Sequence, residues 1–180
     1  MRTSTARRWT LVGALAASSL VVNVDGAGAN ANVGGGAGAF TANPAFAPSV
    51  GDPTNPAAGA QGAVLVVSGP AHRTLVLLLV KGLPAGRSFG AHVHRDPCSS
   101  AFGGPHYQAP DPSTPTAANA DERHEVWLDF TANPGGNSRS LAVVPFEILP
   151  GARSVVIHQA DHTMTGGTAG QRLACLDITV

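Results

Sequence analysis

Apolar and polar positions along the chain fall into short runs that alternate with a period of two. Ala63–Ser68 is apolar and β-branched and is cut off by Gly69-Pro70. Thr74–Val80 is a second apolar run, closed by Gly82-Leu83-Pro84, and Ser88–His94 is a third. Glu125–Thr131 alternates through V-W-L-D-F and stops at Asn133-Pro134-Gly135-Gly136. Ser140–Val144, Ser154–His158 and Arg172–Val180 complete the series. No segment sustains an apolar period of 3.6 over helical length, and no internal repeat is visible. Short strands at this spacing, with turn residues between them, predict an all-β sandwich or barrel. Two connections are long, Arg95–His124 and Gln159–Gln171. Long loops on a rigid β-scaffold are where functional groups concentrate.

The 180 residues suffice for one domain and an exported leader. Arg2, Arg7 and Arg8 form a positive start, Trp9–Val22 is apolar, and small residues follow, with cleavage positions near Ala27–Ala31. This predicts a signal peptide over residues 1–29 and an extracellular, periplasmic or envelope location. The apolar run is short for a membrane anchor, and no other segment has the length to span a bilayer. Arg7-Arg8 suits a twin-arginine route as well as the general secretory one. Residues 30–60 are rich in Gly, Ala, Asn and Pro and read as a linker, with an irregular edge strand around Gly38–Phe46. The folded domain is then expected over 61–180.

Eleven basic and eleven acidic side chains balance over the whole chain. Removal of the leader leaves roughly eight basic against ten acidic, which excludes a basic stripe for nucleic acid. Two cysteines, Cys98 and Cys175, read as one disulfide in an exported chain, the alternative being two buried thiols.

Four of the seven histidines sit where a metal site would place them. His92 and His94 form H-x-H in a strand, so both imidazoles face one side, a ready pair of ligands for copper, zinc or nickel. His106 follows a Gly-Gly-Pro turn that can aim its ring inward. His158 ends the run SVVIH, at the border of a loop. Taken singly, each also reads as an ordinary polar side chain.

The order of these pieces changes the picture. GAHVH, a cysteine followed by GGPHY, SVVIHQADH and TAGQRLACLDI resemble the copper–zinc superoxide dismutase family over about Ala63–Val180. The resemblance implies that family's immunoglobulin-like Greek-key β-sandwich with two long functional loops and one disulfide. It implies His92, His94, His106 and His158 as copper ligands, with His106 the histidine that can bridge copper and zinc and that releases copper on reduction. It implies a Cys98–Cys175 disulfide, and Arg172 as the cation that guides superoxide to the metal.

The match fails at zinc. No histidine lies between His106 and His124, and Trp127 stands where the family has its zinc aspartate. His124 and Asp129 remain as a degenerate zinc site or as supports for the copper ligands, and zinc is doubtful as a cofactor. These departures resemble the copper-only members of the family, in which a protein group supports the would-be bridging histidine. Asp121, Glu122, His124 and Glu125 are the candidates, and the sequence does not choose among them. His162 reads as a polar loop residue that can line the entrance, and His72 as solvated. The expected function is a secreted copper-dependent superoxide dismutase. The alternative is a non-catalytic copper-binding module of the same fold, for storage, delivery or sensing.

Overall fold

The computed structural model describes residues 32–69, 73–109, 116–148, 150–161 and 169–180. The expected leader, His72 and His162 lie outside the described residues.

Among the described residues nine strands form two antiparallel sheets. They are β1 (Asn32–Ala39), β2 (Thr41–Ala42), β3 (Gln61–Gly69), β4 (Arg73–Lys81), β5 (Ser88–His94), β6 (Phe130–Thr131), β7 (Asn137–Val144), β8 (Ser154–His158) and β9 (Arg172–Asp177). One sheet has the order β1-β3-β4-β7, the other β2-β9-β8-β5-β6. Two short 3₁₀ turns, Ala101–Gly103 and Ala117–Asn119, are the helical elements among the described residues. The chain is thus an all-β sandwich, as its period-two pattern predicts.

Alternation builds the core. On β4, Thr74, Val76, Leu78 and Val80 are buried, and on β3 Val64, Val66 and Ser68. Phe89, Ala91 and Val93 of β5 meet them from the other sheet in one apolar cluster, with Val155, Ile157 and Leu173. Ala91 and Val93 alternate with His92 and His94, so the same period that fills the core turns both histidines to the opposite face of β5.

Residues 32–60 are not mostly a linker, although the edge strand expected around Gly38–Phe46 is present as the short β2 at the edge of its sheet. Instead Asn32–Ala39 pairs with the whole of β3, and Thr41–Ala42 pairs with β9. Phe40, Ala57 and Ala60 are core residues, so the sandwich includes the chain from Asn32 and does not start at Gln61. The glycines that suggested flexibility have a packing role. A Cβ on Gly34 would stand 2.3 Å from the Thr179 carbonyl oxygen, and one on Gly36 2.2 Å from that of Asp177. Strand β1 therefore lies against the chain's C-terminal backbone, and Gly35 and Thr179 exchange hydrogen bonds of 2.8 and 3.0 Å across the two sheets.

The expected strand Glu125–Thr131 is regular only at Phe130–Thr131. Upstream, Leu128 still donates to the Ala91 carbonyl at 2.7 Å, but the Ala91 N–H bonds to the Asp129 side chain at 3.1 Å. A carboxylate replaces the backbone acceptor and interrupts the ladder. Strand β7 starts three residues earlier than expected, at Asn137, where Asn133 Oδ1 caps the turn by accepting from Gly135 and Asn137.

Cys98 and Cys175 form the expected disulfide, with Cα atoms 5.7 Å apart. It ties the long loop after β5 to the buried middle of β9. Replacing both cysteines with alanine should lower unfolding free energy by about 2–5 kcal/mol, because the bridge closes a loop of 77 residues. Urea titration of the oxidised protein and the double variant measures this.

Candidate metal centre

His92, His94, His106 and His158 come together. One ring nitrogen from each lies within 4.8 Å of the others. That spread is close to the roughly 4 Å span of nitrogens around one ion about 2 Å from each. Ring centroids are 4.3 Å apart for His92 and His106 and 4.6 Å for His94 and His106. His92, His94 and His158 are buried, while the His106 side chain keeps 24% of its exposure. Solvent thus reaches the cluster at His106.

Backbone pairing delivers each ring. His92 and His94 are cross-strand partners of Val156 and Ser154, and His158 is paired with Gly90 at the far end of β8. His106 is brought in by a separate bridge opposite His94, fixed by a 2.9 Å bond from the Tyr107 N–H to the Val93 carbonyl. Between β5 and His106 the chain turns through Ala101 and Phe102, both left-handed, with φ of 44° and 51°. Gly103 and Gly104 follow. A Cβ on Gly104 would stand 2.0 Å from an Asp96 carboxylate oxygen, so this turn requires glycine.

The outer nitrogen of each ring meets an oxygen. His94 Nδ1 lies 2.9 Å from the Gly104 carbonyl, and His158 Nδ1 3.5 Å from that of Gly170. His106 Nδ1 lies 2.8 Å from Glu125 Oε2, and His92 Nε2 3.6 Å from Asp129 Oδ1. A neutral imidazole that donates outward presents a bare lone pair from its other nitrogen. His94 Nε2 and His158 Nε2 face each other at 3.2 Å. Two such lone pairs repel unless a proton or a metal ion lies between them. Burial disfavours the proton. It pushes the His94 imidazole well below its ordinary range, and with the charges of His92 and His106 it lowers His158 to about 2. Four imidazoles with one ring nitrogen each aimed at one point form a donor set that fits zinc, copper, nickel or iron.

Glu125 is the support for His106 that the sequence left undecided. It is buried, and it accepts from His106, from Trp127 Nε1 at 3.0 Å and from Gln108 Nε2 at 2.8 Å. Burial alone would raise its carboxyl pKa, but the bonds from His106, Gln108 and Trp127 outweigh it and the net shift is downward. Gln108 is itself held by Thr116, whose N–H donates to Gln108 Oε1 at 2.7 Å. Sequence reasoning missed Gln108 and Trp127, and no local motif marks either.

The sequence offers His124 and Asp129 as a degenerate zinc site or as supports for the copper ligands, and the two have different partners. Asp129 touches His92, whereas His124 lies outside the four-histidine group and bonds Asp121 at 2.7 Å. Hydrogen bonding by His124 lowers the Asp121 carboxyl pKa. Asp121 and His124 thus serve their own loop. Glu122 is exposed and lies outside the four-histidine group.

Arg172 is the cross-strand partner of His158. Its Nη1 donates to the Ala101 carbonyl at 2.9 Å and the Phe102 carbonyl at 3.4 Å. Burial lowers the guanidinium pKa, and its charge in turn disfavours protonation of His94 and His158. A guanidinium has five donors, so anchoring this loop leaves capacity for a small anion.

No family model matches the chain, and no curated protein matches it.

Two measurements test this geometry. In metal-free protein burial and the charges of His92 and His106 push His158 down to about 2, whereas the unfolded chain takes its proton near 6.5. The unfolded state therefore holds more protons over that window, and stability falls as pH drops below about 6.5, by up to about 1.4 kcal/mol per pH unit for each such histidine. Urea midpoints of the chelator-treated protein between pH 7.5 and 4.5 read the slope. Separately, Glu125→Gln should weaken metal binding by about 10–100-fold without dissolving the fold, as competition with a chromophoric chelator would report.

Proposed function

We propose that the protein is an exported, copper-dependent superoxide dismutase resembling the copper-only members of its family. The observation that carries this reading is the convergence of four imidazoles with Arg172 in cross-strand register beside His158. The strand order is also compatible with the Greek-key sandwich that the resemblance implies.

The Glu125 bond supports a single-metal centre. A second ion would need His106 Nδ1, and that nitrogen is engaged by a carboxylate that also bonds Gln108 and Trp127. Copper is preferred to zinc on the strength of the family motifs, since imidazole donors accept both.

Two superoxide ions and two protons give dioxygen and hydrogen peroxide. Copper, when bound, supplies the one-electron redox couple for the two halves of this reaction. The chain's residues do the rest. His92, His94 and His158 are buried and form a rigid side of the site. His106 faces solvent, so substrate and protons meet the centre there. Glu125 holds the His106 tautomer in which Nε2 points inward. Arg172 is a fixed cation on partly buried ground, where its field reaches further than in bulk water and raises the encounter rate of a small anion.

Tethering of Arg172 to the Ala101 and Phe102 carbonyls favours the second reading, a copper-binding module in which the arginine merely anchors a loop. One set of assays separates the two. Metal analysis should find one copper and no zinc per chain, and dismutation should be lost in His92→Ala. Arg172→Glu should cut the bimolecular rate by tenfold or more, with a reversed salt dependence and little change in copper content. Copper-loaded protein without dismutase activity would establish the binding module instead.

A further inference from the structure

The outer face of the sheet β1-β3-β4-β7 is apolar where a sandwich is normally polar. An antiparallel sheet with one face on the core usually alternates apolar-in and polar-out. Here the outward positions form cross-strand rows: Ala63, Leu79 and Arg139; Leu65, Leu77 and Leu141; Val67, Leu75 and Val143. Leu79, Leu141 and Val143 are 45%, 58% and 56% exposed. Beside them the glycines of β1 leave a groove of about 440 Å³, lined by Val33, Ala37, Ala63, Leu65, Leu77 and Leu79. That volume lies in the range of small-ligand sites. Contiguous exposed apolar surface of this kind marks a site of contact with a protein or a membrane.

Charge selects the occupant. The four strands carry Arg73, Lys81 and Arg139 and no carboxylate. Arg73 and Lys81 are exposed at the two ends of β4, and Arg139 is exposed on β7, so cations flank the apolar rows at both ends. A second copy docking face to face would bring the same cations together, and like charges across an interface disfavour it. An anionic bilayer accepts both features, leucines into the acyl boundary and cations among the headgroups.

We propose that this sheet face docks the protein onto a bilayer carrying anionic phospholipid. His92 and His94 project from the far side of the opposite sheet, so docking leaves the histidine cluster turned away from the lipid. The contact is peripheral and independent of what the cluster does.

The test uses protein purified in its processed form from the cells that make it. It is sedimented with phosphatidylcholine vesicles, and with vesicles in which about a third of the lipid is phosphatidylglycerol. Binding is expected to the second and not the first, and to fall as salt rises. Arg73→Gln, Lys81→Gln and Arg139→Gln combined should weaken partitioning by about a hundredfold, at about fivefold for each cation. Leu79→Ser with Leu141→Ser should weaken it by tenfold or more. Copper content and melting temperature should stay near wild type, since all five side chains are exposed. Equal sedimentation of wild type and both variants would overturn the proposal. So would a dimer in sedimentation velocity that Leu141→Ser dissociates, with no vesicle binding by the wild type.

Discussion

Four imidazole lone pairs pointed at one another make an unfavourable arrangement. Water would ordinarily relieve it by protonating a ring, but three of these rings are buried, and burial penalises the imidazolium. The arrangement persists because the outer nitrogen of each ring faces an oxygen, two backbone carbonyls and two carboxylates. The hydrogen-bonded ones, at His94, His106 and His158, hold their rings in position and leave the inner electrons for a cation. The site is thus organised from its outside.

The sandwich sets this up through a single periodicity. Phe89, Ala91 and Val93 enter the core, so His92 and His94 must leave it on the other face of β5. A register slip of one residue on β5 would bury the histidines in the core and expose the apolar residues. Core packing therefore fixes ligand geometry, and the disulfide then holds the loop that supplies His106 near the sheet. Asp129 shows the same economy on the neighbouring segment. Its carboxylate interrupts the ladder by accepting the Ala91 N–H and approaches His92 from behind.

Much of this was legible in the sequence, and what was not has physical reasons. Strands β5 and β8 carry clear alternation or apolar runs bounded by turns, and their limits were read correctly. The H-x-H spacing forces two rings to one face whatever the fold. The even cysteine count supplied the bridge. Strand β1 was missed because its glycines look like a flexible tether. Their reason is a backbone contact with Asp177 and Thr179, more than a hundred residues away. Glu125 was one candidate among four because its role depends on Gln108 and Trp127 reaching the same carboxylate, and neither has a recognisable spacing. That Asp129 faces His92 while His124 does not join the cluster was equally hidden, because it turns on a local bond between His124 and Asp121.

The turn at 101–104 joins several parts of the site that the sequence presents separately. Ala101 and Phe102 adopt left-handed backbone, at a cost on the order of 1–2 kcal/mol each for residues with a Cβ. Arg172 bonds both of their carbonyls, the Cys98 bridge holds the chain just upstream, and the Gly104 carbonyl fixes the His94 tautomer. Pro105 then leads directly into His106. Strain in this turn is therefore offset by the guanidinium, and the turn in return orients two of the four imidazoles. Loop anchoring and charge presentation by Arg172 are thus compatible roles. The bonds that tether the guanidinium also hold its charge beside His158, where a mobile side chain would spend much of its time in solvent.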